Sequence, residues 1–196
     1  MQSICVFCGS SMGVKPEYKA GAIELGREIL NRKMTLLYGG ANVGLMKVLA
    51  ETVLEGGGEV IGIMPRRLVE KEVAHNGLTK MHIVESMSER KTLMVEMSDA
   101  FIAMPGGFGT FDELAEVITY NQLRLTDKPI GIFNIAGYFD LLLRFFDHTA
   151  EEGFLRHEHR KNLIVDDNIH SLLEKMSNYQ PVAMDKWIRD IKQESG

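Results

Sequence analysis

Three short apolar runs in this chain end in turns of small residues: Cys8-Gly9-Ser10-Ser11-Met12-Gly13, Gly39-Gly40-Ala41-Asn42-Val43-Gly44 and Gly106-Gly107-Phe108-Gly109-Thr110. Glycine lets a backbone approach a ligand closely. A helix that follows such a turn aims free N–H groups and a partial positive charge at whatever lies there, which suits an anion. Glycines also serve tight turns with no ligand at all, and that reading suffices for one turn. Three turns at one edge of a sheet favour a phosphate cradle, with Gly9, Ser10, Gly39, Gly40, Gly106, Gly107, Phe108, Gly109 and Thr110 as its candidate residues. Asp112 and Glu113 follow the third turn and are expected in the first turn of the next helix. Acidic residues there often do no more than complement the helix dipole. Two positions in one turn cannot share a direction, so one of the pair should face the ligand and the other solvent. Glu116 stands three residues on, placed to flank Glu113. Arg90-Lys91 is an ordinary solvated pair on a surface helix, or, beside such a site, a grip for a phosphate or a leaving base.

Several chemistries are disfavoured. Lys47 does not follow a glycine, so there is no Gly-x4-Gly-Lys-Ser/Thr loop, and Gly107-x-Gly109 has no third glycine at Asp112. A single phosphate therefore fits better than a pyrophosphate or triphosphate. Ser10 and Ser11 lack the Gly-x-Ser-x-Gly elbow of a serine hydrolase. His157-x-His159 is the closest histidine pair and has no partners at metal-site spacing, so neither metal nor cofactor is expected. Cys5 and Cys8 have Cys-x-x-Cys spacing but fall in a strand-like run, where residues three apart point to opposite faces. Two free thiols are expected.

The elements that must position these residues alternate in type. Strands are expected at 3–8, 35–38, 59–64, 81–84, 100–104, 129–133 and 163–165. Helices are expected at 17–31, 45–54, 88–97 (capped by Ser86 or Ser88), 110–125, 138–152, 169–177 and 184–192, with a polar connection over 66–79. Such alternation implies an α/β fold, a Rossmann-like doubly wound parallel sheet with helices on both faces. Ligands then bind at the carboxyl ends of the strands. The 196 residues show no repeat or linker and are read as one domain over 1–196. With 45% hydrophobic and 25% charged residues, a net charge of −5 and no long basic run, nucleic acid is not an expected partner. The opening residues lack the pattern of a leader and no apolar run nears the ~20 residues of a membrane span, so a cytoplasmic location is expected.

The run Pro105-Gly106-Gly107-Phe108-Gly109-Thr110-Phe111-Asp112-Glu113 resembles the Pro-Gly-Gly-x-Gly-Thr-x-x-Glu motif of the LOG family, the cytokinin riboside 5′-monophosphate phosphoribohydrolases once labelled lysine decarboxylases. Similar landmarks run through nearly the whole chain: 5–11, Tyr38-Gly39-Gly40 through Gly44-Leu45-Met46, Glu89-Arg90-Lys91, Lys128-Pro129-Ile130-Gly131 and Glu152-Gly153-Phe154. The resemblance implies hydrolysis of the N-glycosidic bond of an adenosine 5′-monophosphate, plain or N6-substituted. It implies catalytic roles for Arg90 and Glu113, and substrate contacts from Glu72, Arg90, Lys91, Gly106 to Asp112 (Phe111 among them) and Thr119. The chain departs from the family pattern at Ala41 and Lys47, where glycines are common, at Tyr120, where tryptophan is frequent, and at Arg124-Leu125-Thr126, which replaces Gly-Ile-His. A homodimer is expected from the resemblance and from the apolar-rich helices at 110–125 and 138–152. The other reading is a nucleotide-binding or carrier protein without chemistry. The presence of both Arg90 and Glu113 favours the enzyme.

Overall fold

The computed structural model describes residues 1–71 and 73–181. Glu72 and the helix expected at 184–192 lie outside the described residues. The chain runs β1 (Ser3–Phe7), α1 (Pro16–Asn31), β2 (Thr35–Tyr38), α2 (Gly44–Glu55), β3 (Val60–Pro65), α3 (Arg66–Val69), β4 (Lys80–Val84), α4 (Met87–Met97), β5 (Ala100–Ala103), α5 (Phe108–Gln122), β6 (Ile130–Phe133), a short 3-10 turn (Ile135–Gly137), α6 (Asp140–Glu151), α7 (His157–Lys161), β7 (Ile164–Asp166) and α8 (Ile169–Ser177).

Among the described residues, seven strands form one parallel sheet in the order β4-β3-β2-β1-β5-β6-β7. Parallel strands covered on both faces read as unbroken apolar runs, and β2, β5 and β6 are of that kind. Alternate residues of β1 serve opposite faces. Ile4 and Val6 pack with Leu25 and Ile29 of α1, Leu49 and Val53 of α2, and Leu172 and Leu173 of α8. Cys5 and Phe7 pack with Met94 of α4, and Leu114 and Val117 of α5, on the other face. Cys8 falls on the α1 side and Cys5 on the α4 side, and both are buried free thiols. Among the described residues, no helix is long and apolar enough to cross a membrane.

The strand order reverses at β1. From there the chain steps outward through β2, β3 and β4, then returns by α4 to β5 on the other side of β1. The connections that leave β1 and β5 diverge to opposite faces, which opens a crevice at their carboxyl ends.

The structure corrects two helix boundaries. Helix α5 starts at Phe108 rather than 110, because Gly107 takes the extended N-cap conformation and Phe108 and Gly109 are already helical. Asp112 and Glu113 therefore stand in its second turn, not its first, and the first turn carries no acidic residue. The helix ends at Gln122 rather than 125, because Arg124 adopts a left-handed conformation (φ 60°) and the Leu125 N–H returns to the Tyr120 carbonyl at 2.9 Å. That is the Schellman type of ending, whose left-handed position glycine usually fills. It is also the position where the family's pattern has glycine and this chain has Arg124.

Candidate active site

The crevice is closed at its floor by three interlocked glycines. The Gly9 N–H donates to the Pro105 carbonyl at 3.0 Å, and the Leu45 N–H at the start of α2 donates to the Gly9 carbonyl at 3.1 Å. A Cβ on Gly106 would collide with Thr110 Oγ1 and stand 2.9 Å from the Gly9 nitrogen. A Cβ on Gly44 would collide with the Ser10 carbonyl carbon, and its φ of 56° disfavours a side chain in any case. Gly107 has no heavy atom within 4 Å of where its Cβ would be, so it faces open space.

The resulting cleft measures about 280 Å³ and is lined by the turns after β1 and β5, with Tyr18, Leu45 and Tyr138 in its walls. Gly107, the N-cap of α5, contributes no capping side chain. The N–H groups of that first turn thus keep their donor capacity, and the helix dipole adds to it. This end of the cleft is complementary to an anion such as a phosphate. Among the described residues, no cationic side chain lines it, so its donors there are backbone N–H groups and hydroxyls.

Arg90 and Glu113 meet beside β1, β2 and β3. Helix α4 is capped by Ser86, whose hydroxyl accepts from the Glu89 N–H at 3.0 Å, while Glu89 accepts from the Glu85 N–H at 2.8 Å. One turn later Arg90 donates Nε to the Ile63 carbonyl at 3.0 Å and Nη2 to Glu113 Oε1 at 2.9 Å. The two side chains are 12% and 10% exposed, so this is a largely desolvated ion pair. Burial pushes the Glu113 carboxyl above the ordinary glutamate range, and the Arg90 guanidinium holds that rise back. Asp112 points outward, where it and Glu116 grip Lys91 Nζ at 3.1 and 2.9 Å. These contacts, Glu116 first, hold the Lys91 ammonium above the ordinary lysine range. The Tyr120 hydroxyl also donates to Glu116, at 3.0 Å.

The candidate residues therefore separate into groups. Gly9, Ser10, Gly106 and Gly107 line the cleft, and Thr110 is buried beneath it. Phe108 and Phe111 are exposed to solvent and line no part of it. Gly39 does not line this cleft. A Cβ there would collide with the Arg90 guanidinium, so its lack of a side chain makes room for Arg90. Gly40, at φ 80°, lies against Met81. Lys91 is occupied by carboxylates rather than free for a phosphate. Thr119 lines a separate, mainly apolar groove of about 270 Å³ between α5, α6 and α7. Tyr18 and Tyr138 also line the cleft and are not legible as site residues in the sequence. Nothing in the local pattern marks them, because their places depend on which strand lies beside which.

A family model described as "Possible lysine decarboxylase" matches residues 46–176. The chain is 46% identical over 176 residues, covering 90% of itself and 79% of the relative, to a "Probable cytokinin riboside 5'-monophosphate phosphoribohydrolase LOGL1" of Oryza sativa subsp. japonica. It is 44% identical over 178 residues to the "Cytokinin riboside 5'-monophosphate phosphoribohydrolase LOG1" of Arabidopsis thaliana, covering 91% of this chain and 84% of that one. Among solved structures, a molybdenum cofactor binding protein from Rippkaea orientalis has the same fold, with a TM-score of 0.68 at 24% identity over 90% of this chain and 95% of that one.

Proposed function

This chain belongs to the LOG family, and from that premise we propose that it is a hydrolase that cleaves the N-glycosidic bond of an adenosine 5′-monophosphate, plain or N6-substituted, releasing the free base and ribose 5-phosphate. The observation that carries the reading is the desolvated Arg90–Glu113 pair, with Glu113 on the same helix α5 that starts, uncapped, at the glycine-lined cleft. A carrier needs only the cleft. A buried carboxylate held by one guanidinium is a group suited to chemistry.

In the proposed reaction the 5′-phosphate lies against the start of α5, and its binding energy holds the ribose over Glu113. The bond from C1′ to the base nitrogen breaks with its electron pair going to the base. Positive charge develops on the sugar, and the Glu113 carboxylate stabilises it. Water then bonds to C1′, and Glu113 takes the proton that the water loses. A proton is returned to the departing base, so the products balance as base plus ribose 5-phosphate. Arg90 opposes the effect of burial on Glu113 and so favours its ionised form.

The family model's older description finds no support in the side chains. A decarboxylase working through a Schiff base needs a lysine with a depressed pKa. The lysine beside the Arg90–Glu113 pair is Lys91, and two carboxylates keep its amine protonated.

Incubation of the protein with AMP, an N6-substituted AMP, adenosine and ATP, with chromatography of the released base, tests the reading. Both monophosphates should give base and ribose 5-phosphate, with adenosine and ATP far slower in kcat/KM. If no monophosphate releases base, the protein is a binder. If adenosine reacts as well as AMP, the phosphate cradle is misassigned.

A further inference from the structure

Tyr138 stands between the 3-10 turn and α6, is 41% exposed, and lines the same cleft as the glycine turns. Its hydroxyl donates to the Gly106 carbonyl across 32 positions of sequence, at 2.5 Å. Its ring meets Tyr18 of α1 edge-on at 5.7 Å and Phe139 at 5.0 Å. The backbone that presents it is unusual. Ala136 (φ 51°) and Gly137 (φ 70°) are both left-handed, a region that an alanine rarely enters. Asn134 holds the turn by accepting from the Phe139 N–H and donating to Asp140, both at 2.7 Å. Such a conformation persists only when its surroundings over-determine it, and it is common where a side chain must be aimed.

What it is aimed at matters. The peptide between Gly106 and Gly107 is flanked by glycine on both sides, so no Cβ resists its rotation. Flipped, it would turn the Gly106 carbonyl oxygen and the Gly107 N–H to each other's places, because the two point opposite ways in a trans peptide. An anion site tolerates only one of those states.

We propose that Tyr138 is a positioning residue for the phosphate-binding turn: its hydroxyl locks the Gly106–Gly107 peptide in the orientation that presents N–H rather than C=O to the substrate's phosphate. The inference rests on the reading of the cleft as a phosphate site. Tyr138 acts through the backbone and holds the donor in place before the ligand arrives, which spares the ligand the cost of ordering it.

The test is Tyr138→Phe, read by thermal shift with ribose 5-phosphate and, separately, with adenine. This measurement does not depend on turnover. The unliganded Tm should stay within a few degrees of wild type, because one partly exposed hydroxyl is removed and both ring contacts remain. The concentration of ribose 5-phosphate giving half the maximal shift should rise about tenfold, the worth of one good hydrogen bond. The adenine response should be unchanged. An unaltered ribose 5-phosphate response in the variant overturns the inference, as does a parallel loss with adenine or a large fall in the unliganded Tm. If wild type itself gives no response to ribose 5-phosphate, the phosphate reading fails, and this inference fails with it.

Discussion

Burial and the neighbouring guanidinium pull on Glu113 in opposite directions, and burial is the stronger. A carboxyl whose pKa is raised by folding adds stability that is present at low pH and is lost as the pH rises through the raised value. At neutral pH the ionised Glu113 therefore costs the fold something. Glu113→Gln should abolish base release by on the order of 10²-fold or more, the usual loss for a well-placed charge-stabilising group. The fold should remain intact, with a lower Tm, because the glutamine oxygen can still accept from Arg90 but the buried guanidinium loses its counter-charge. Near-normal turnover would move the role to Asp112 or Glu116. The same sign governs activity. The carboxylate is the working form, so kcat/KM should decline as pH is lowered through an apparent pKa above the ~4.3 of an ordinary glutamate. A rate profile that is flat down to pH 4 would leave no role for a buried Glu113.

At the scale of elements, the start of α5 separates glycines that the fold needs from one that a ligand needs. Gly106→Ala drives a methyl into Thr110 Oγ1 and the Gly9 turn, so it should lower both Tm and activity. Gly107→Ala meets nothing within 4 Å, and its φ of −97° is open to alanine. It should fold with a Tm near wild type, since glycine and alanine differ by only a few tenths of a kcal/mol to ~1 at an N-cap. It should still lose affinity for ribose 5-phosphate, because the added methyl lines the cleft. Unchanged affinity in a well-folded Gly107→Ala would move the anion elsewhere. The other end of α5 makes a separate prediction. Arg124 holds a left-handed conformation that costs a non-glycine residue roughly 1 kcal/mol, and its partly exposed ion pair with Asp127 repays about a few tenths. Arg124→Gly should therefore raise Tm by about 1–3 °C, at roughly 2–4 °C per kcal/mol for a protein of this size. A lower Tm would mean that Arg124 makes contacts worth more than its strain.

For the whole molecule, exposed large apolar side chains stand singly at Met12, Val14, Ile83 and Met87, and a larger group comes from α5, α6 and the segments after them. Phe108, Phe111, Leu123 and Leu125 come from α5 and its end, Leu141 and Phe145 from α6, and Phe154 from the segment beyond it. Large apolar groups concentrated on two elements mark an interaction surface more often than a solvated one. We propose a homodimer that covers the α5 and α6 faces. Light scattering at micromolar concentration should return twice the mass of one chain, and Leu141→Lys or Phe145→Lys should shift it toward the single-chain mass. A wild-type solution of single chains would refute the dimer.

Much of this protein follows from local pattern. Apolar runs such as Thr35–Tyr38 and Ile130–Phe133 can hardly be anything but strands covered on both sides, and the amphipathic stretches between them require helices on both faces. The turn Gly106-Gly107-Phe108-Gly109-Thr110 before a helix reads as an anion site, and the division of Asp112 and Glu113 between solvent and interior follows from helical geometry alone. Helix ends were less legible, because a glycine such as Gly109 reads as a turn residue until its neighbours are seen to be helical. What sequence left open was every choice that depends on strand order. Nothing near Gly39 in the sequence shows that Arg90, brought over from α4, lies against it. Sequence leaves Lys91 open between a solvated residue and a phosphate grip, and the fold sets it between Asp112 and Glu116. Tyr138 carried no signal at all. These are contacts between residues tens of positions apart, set by which strands lie side by side at the reversal beside β1. That order is fixed by the packing of the whole sheet, and no local stretch of sequence contains it.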